Sequence, residues 1–218
     1  MIPIVCIVGA SNSGKTTFLE KLIPELRGRG YRVGAVKHDA HSFEIDHEGK
    51  DTWRLNRAGA ETVVISSPQK VAAVRQTGEE MGLDALVGRF FWNEDLVVTE
   101  GFKRSRFPKV EVFRTAVEST PICTVQDNLL CLVTDDPVEA DAPRFRFAET
   151  SKVADMIEER FLKGRRSRKV SLHLDAKQLP MNDFVGEFLV GAIVGMLSTL
   201  RGWKSPETID IQIRLKDE

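Results

Sequence analysis

The sequence has little of what marks a secreted, membrane-bound or nucleic-acid-binding protein. Its three cysteines, Cys6, Cys123 and Cys131, are odd in number, widely separated and set in apolar sequence. That pattern suits reduced core thiols better than a disulfide framework or a zinc site. No sign of charge prevails: 31 Lys and Arg stand against 32 Asp and Glu, so no global field draws the chain to nucleic acid or to an anionic membrane. Long hydrophobic runs are also missing. The best, Phe184 to Leu200, carries Glu187 and is short for a bilayer span, so it reads as a buried helix. Met1-Ile2-Pro3 runs directly into apolar sequence without the basic and apolar segments of a signal peptide, and a cytoplasmic setting is expected. Apolar residues make up 42% of 218 positions, enough for one α/β domain with an appendage or for two small domains.

What is present begins with Ile4-Val5-Cys6-Ile7-Val8, a short β-branched run that suits a strand covered on both faces of a parallel sheet. Gly9-Ala10-Ser11-Asn12-Ser13-Gly14-Lys15-Thr16 follows, and Thr17 to Ile23 has helical periodicity. Strand, glycine loop and helix in this order form a phosphate cradle. The glycines let backbone N–H groups converge, with the positive end of the helix behind them. Lys15 is expected to reach the β- and γ-phosphates, and the Thr16 hydroxyl to ligate Mg²⁺. Gly9, Ser11, Asn12, Ser13, Gly14, Lys15, Thr16 and Thr17 are therefore the first candidate binding residues.

The first helix is expected to reach about Arg27, with Pro24 as a possible kink and Gly28 and Gly30 as stops. Tyr31 to Val36 reads as a second strand that ends at Lys37-His38-Asp39, on the rim where open α/β sheets bind ligands. Asp39 to Asp51 holds His41, Asp46, His47, Glu48 and Lys50 and reads as a loop over the nucleotide. Its histidine spacing fits no common metal pattern. A short helix covers Thr52 to Arg57, a strand Glu61 to Ser66, and Lys70 to Arg75 can complete an antiparallel hairpin at one sheet edge, a place to dimerise. Glu79 to Arg89 reads as a helix with Met81, Leu83, Leu86 and Val87 inward. Leu96-Val97-Val98-Thr99 is a buried strand that ends in Glu100-Gly101-Phe102-Lys103. A carboxylate there can hold Mg²⁺ through water or orient an attacking water, so Lys15 and Glu100 are the candidate catalytic residues. Gly101 would allow close approach to the γ-phosphate, and Lys103, Arg104 and Arg106 form a basic cluster, solvated or facing an anionic second substrate. Lys109 to Arg114 and Leu129 to Val133 are further strands, the latter ending at Thr134-Asp135-Asp136. Asp135 is a candidate acceptor for guanine, although the Asn-Lys-x-Asp guanine signature is absent and the local residues leave the base undetermined. Thr150 or Ser151 is expected to cap a helix that runs to about Leu162.

Taken together, Gly9-x-x-x-x-Gly14-Lys15-Thr16-Thr17, Lys37-His38, Asp46, Gly49-Lys50-Asp51-Thr52, Ala58-Gly59-Ala60, Glu100-Gly101-Phe102-Lys103 and Lys109 to Arg114 resemble the molybdopterin-guanine dinucleotide biosynthesis protein B family of P-loop proteins, over roughly residues 1 to 163. The resemblance implies GTP and Mg²⁺ as ligands, slow GTP hydrolysis and homodimerisation. It also implies cooperation with the guanylyltransferase that joins GMP to molybdopterin, with molybdopterin as a further candidate partner, and it places Glu100, Lys37 and His38 near phosphate or metal. Asp39 joins Thr16 and Glu100 as a candidate metal ligand by position alone. The expected fold is α/β, a three-layer P-loop NTPase-like domain around a mostly parallel sheet, over 1–163.

Residues 164–218 read as an appendage behind a basic linker, Lys163 to Lys169. Val170, Leu172 and Leu174, and again Ile209, Ile211, Ile213 and Leu215, alternate with polar residues and flank an apolar stretch. This spacing predicts a small β-α-β unit, too small to be stable alone, which would dock on the main domain or pair with its counterpart in a second chain. Two other functions use the same residues. A small-molecule kinase would hold its acceptor with His38, Lys50, Arg54 and Lys103. A nucleotide-gated metallochaperone would use His38, His41 and His47.

Overall fold

The computed structural model describes residues 2–39, 45, 47–91, 93–164, 170, 172–174, 177–179, 181–211 and 213. The chain divides into two compact units, residues 2–165 and 166–218.

The first unit is built on β1 (Ile4–Val8), whose five residues are all buried. It leads through the glycine loop into α1 (Lys15–Gly28), which buries Phe18, Leu19, Leu22 and Leu26 along one face and contains Pro24. Each such side chain contributes roughly 1.5–3 kcal/mol when removed from water. There follow β2 (Val33–Lys37), α2 (Asp51–Arg57), β3 (Thr62–Ser67), β4 (Lys70–Arg75), α3 (Leu83–Phe90), β5 (Leu96–Glu100), β6 (Lys109–Val112), β7 (Leu129–Val133), β8 (Arg144–Phe145) and α4 (Thr150–Ile157), which continues in a wider turn over Glu158–Leu162. The strand order is β2-β5-β1-β6-β7-β8, and every neighbouring pair is parallel. Such a sheet must be covered on both faces. Val5 and Ile7 pack with α1 and with Val153, Ala154 and Ile157 of α4; Ile4, Cys6 and Val8 pack with Leu83 and Val87 of α3. The result is the expected α/β fold in three layers, with all three cysteines buried and free. Arg29 ties the end of α1 to α4, pairing with Glu158 and Asp155 at 2.7 Å each.

Four details depart from the sequence reading. Among the described residues, strands β3 and β4 pair only with each other, in a separate two-stranded sheet, and not at the edge of the main one. Helix α3 starts at Leu83, behind an extended Gly82, so Met81 precedes it. Thr150 lies inside α4, where its hydroxyl donates to the Phe147 carbonyl at 3.2 Å; the cap position is Glu149. Strand β8 has no counterpart in the sequence reading.

The second unit also differs. The antiparallel pairing is a small hairpin of β9 (His173–Leu174) and β10 (Lys177–Gln178), followed by α5 (Asp183–Ser198), where Asn182 Oδ1 accepts from the Val185 N–H at 2.9 Å. The strand expected over 209–215 lies partly outside the described residues, and its described positions 209–211 and 213 are not in a strand. Among the described residues no helix is long and apolar enough to cross a membrane.

Candidate functional site

The loop between β1 and α1 has a backbone that only its own residue types tolerate. Gly9 has φ +143°, and a Cβ there would lie 2.2 Å from the Val112 carbonyl oxygen of β6. Gly14 has φ +99° and Asn12 φ +63°, a left-handed turn that suits glycine and asparagine. The chain thereby folds back on itself, and the first N–H groups of α1 open onto the loop. Ser11, Asn12, Thr16 and Thr17 are exposed, whereas Ser13 is buried and its Oγ has no hydrogen-bond partner among the described residues. The Lys15 ammonium lies across the loop and donates to the Gly9 carbonyl at 3.0 Å and the Ala10 carbonyl at 2.6 Å. Burial holds it below its ordinary range, against the raising effect of Glu100 and with a further lowering by Lys37.

On one flank stand the ends of β5 and β2. Lys37 is in register with Glu100, and the His38 N–H donates to the Glu100 carbonyl at 2.9 Å. The Thr16 hydroxyl donates to Glu100 Oε2 at 2.7 Å, which joins two candidate metal ligands that are 84 positions apart. A hydroxyl and a carboxylate side by side are hard oxygen donors, the kind of set Mg²⁺ takes together with waters and phosphate oxygens. Gly101 has φ +100°, and a Cβ on it would approach the His38 Cβ to 3.1 Å. The His38 ring rests 4.6 Å from the Phe102 ring, and its Nε2 is 2.9 Å from Glu80 Oε1. Glu80 lies in the stretch ahead of α3, where no motif or spacing marks it as a partner.

On the other flank are the ends of β6, β7 and β8. Asp135 Oδ1 accepts from the Phe147 N–H at 3.3 Å, and Asp136 Oδ2 from the Thr115 N–H at 2.7 Å. Arg114 was not among the candidates. Its Nε donates to the Ser13 carbonyl at 3.1 Å, and its guanidinium carbon lies 4.3 Å from the centre of the Phe147 ring. A cation ending a strand on the ligand rim was the signal available.

Lys103 and Arg104 are exposed in the turn after β5, and Arg106 is engaged by Asp84 at 3.0 Å, so the basic run does not act as one patch. Lys50 precedes α2, and Arg54 lies 3.8 Å from Asp51. Asp39 follows His38 and is exposed; His41 and Asp46 lie outside the described residues. Among the described residues no group of three His, Cys, Asp or Glu side chains is placed to hold a metal ion.

Residues 4–135 match the family model described as molybdopterin guanine dinucleotide synthesis protein B. A molybdopterin-guanine dinucleotide biosynthesis adapter protein of Haemophilus influenzae is 38% identical, over 72% of this chain and 88% of its own length. A putative adapter protein of the same description from Methanocaldococcus jannaschii is 24% identical over 96% of this chain and 97% of its own. The solved structure of Bacillus subtilis MobB is 27% identical, covers 75% of this chain and 99% of its own, and superposes with a TM-score of 0.59.

Proposed function

Because this chain belongs to the molybdopterin guanine dinucleotide synthesis protein B family, we propose that it is an adapter of molybdenum-cofactor guanylation that binds GTP with Mg²⁺, hydrolyses it slowly and serves a separate guanylyltransferase in the cytoplasm. The observation that carries this reading is the contact of Thr16 with Glu100 at 2.7 Å beside the Lys15 ammonium. These three side chains supply the cation and the two oxygen donors that a triphosphate and its metal require. The backbone amides of the loop hold the β-phosphate, and Lys15 bridges to the γ-phosphate. Thr16 and Glu100 would hold Mg²⁺, which would supply positive charge beside the phosphates; Asp39 and His38 border that end. Glu100 also orients a water whose oxygen attacks the γ-phosphorus as the bond to the β–γ bridging oxygen breaks, so that GDP and phosphate leave. With no arginine aimed at the γ-phosphate among the described side chains, turnover is slow.

Residues 1–163 carry this activity, and 164–218 are an appendage. The homodimer finds support in β3 and β4, whose Val64, Ile65 and Val71 are exposed. Molybdopterin is a candidate partner through the guanylyltransferase. The test is titration of the protein with GTP and with ATP, each with Mg²⁺, followed by phosphate release with and without an acceptor. Tighter GTP binding with slow, acceptor-independent release supports the reading; acceptor-dependent transfer makes the protein a kinase, and no nucleotide binding overturns the site.

A further inference from the structure

Strand order divides the glycine loop's surroundings into two flanks. Thr16 and Glu100 mark the β5 side, where the metal and the terminal phosphate belong on the reading above. A nucleotide held there extends the other way, across β6 toward β7. At about 4.8 Å per strand, β5 and β7 are roughly 14 Å apart, on the order of the length of a nucleoside triphosphate. On that second flank the described side chain of most distinctive geometry is Arg114.

Arg114 is exposed, yet its guanidinium is held at two points, by the Nε bond to the Ser13 carbonyl at 3.1 Å and by the Phe147 ring, whose centre is 4.3 Å from the guanidinium carbon. Among the described residues no carboxylate pairs with it. Ordering a long side chain on a surface costs conformational entropy, and an arginine held over a ring without a carboxylate partner leaves its far side open to whatever binds above. Phe147 is buried under it, and the chain around both is stapled to the same rim by the Asp135 bond to the Phe147 N–H and the Asp136 bond to the Thr115 N–H. Guanidinium planes are stacking surfaces for nucleobases.

We propose that Arg114 is the platform of the nucleobase: a purine lies flat on the outer face of this guanidinium, whose inner face rests on Phe147, with the Asp135 carboxylate at the purine's edge. This rests on the nucleotide-binding reading. The Ser13 carbonyl contact couples the platform to the loop that holds the phosphates, so one residue sets the distance between the two ends of the ligand.

The test compares two probes on the full chain, GTP and inorganic tripolyphosphate, each titrated with Mg²⁺ by calorimetry. Wild type is expected to bind GTP more tightly than tripolyphosphate. Arg114→Ala is expected to weaken GTP about ten-fold, in line with the worth of one stacked base, and to leave tripolyphosphate within about two-fold. Arg114→Lys keeps a donor for the Ser13 carbonyl but has no plane, and is expected to follow Arg114→Ala. Equal losses for both probes would make Arg114 a support of the loop alone and overturn the platform; so would GTP binding that is unchanged in both variants. If wild type binds neither probe, the nucleotide reading falls and the platform with it, whereas tripolyphosphate binding with no Arg114-dependent preference for GTP removes the platform only.

Discussion

Lys109 and Glu111 are charged, adjacent on one face of β6, and each only 1% exposed. Their burial is tolerated because every strong valence is met. Lys109 Nζ donates to the carbonyls of Ser105, Phe107 and Asp127 at 2.6, 3.0 and 2.8 Å, and Glu111 accepts from the N–H groups of Ile122 and Cys123 at 2.7 and 2.9 Å. These two side chains thus fix loops that no apolar packing would hold. Burial raises the Glu111 carboxyl above its ordinary value of 4.5, and the two backbone bonds only partly oppose this. A proton is therefore held more tightly in the fold than in the unfolded chain. The resulting stabilisation is fully present below about pH 4.5 and is lost as pH rises through the raised value. In urea unfolding followed from pH 4 to pH 8, the stability of wild type relative to Glu111→Gln is expected to fall as pH rises; a constant difference would show that this carboxyl is not perturbed. At Lys15 the reasoning concerns function. Lys15→Ala is expected to lower GTP affinity at least a hundred-fold in calorimetry while the melting temperature stays within a few degrees, since the side chain is at the surface of the loop and outside the core clusters.

Elements were legible in the sequence where one physical rule decided them. Strands β1 and β7 are five apolar residues each, buried throughout, and only a two-sided sheet accommodates that run. The loop and α1 followed from glycine spacing. Strand β8 is two residues long, held by its backbone pairing with β7, and such pairing leaves no periodic trace. At the described positions 209–211 and 213 the alternation misled for the converse reason: period two makes a strand only where a neighbour supplies the ladder. Arg114 was missed because its partners, Ser13 of the loop and Phe147 just after β8, are brought together by strand order alone. The hairpin β3–β4 carries the prediction at this scale. Val64 is opposite Ala73 and Ser66 opposite Val71, so Val64 and Val71 share a face, and they are 58% and 66% exposed. A small apolar face on a strand pair whose outer edges have no strand partner among the described residues favours self-association. Light scattering is expected to give twice the chain mass for wild type and the single mass for Val64→Asp with Val71→Asp; a variant that stays dimeric would move the interface elsewhere.

At the scale of the whole molecule the two units are unequal in what holds them together. Both buried clusters draw only on residues between Ile2 and Leu162, and every residue assigned to the nucleotide lies in the same span. Among its described residues the second unit has one helix, α5, and a hairpin of two-residue strands, while Phe184, Phe188 and Met196 of that helix remain exposed. A segment of this size with so little apolar surface removed from water cannot offset the entropy of ordering its chain. Two outcomes are expected from separating the units. A chain ending at residue 165 keeps GTP affinity within about two-fold and melts cooperatively, as followed by circular dichroism. A peptide of residues 166–218 shows helix content that declines gradually with temperature, without a sigmoidal transition. A sharp transition in the isolated peptide would mean that it forms a core of its own, and loss of GTP binding in the shortened chain would mean that the second unit reaches the site; either result would end the assignment of residues 164–218 as an appendage that depends on a partner surface for its order.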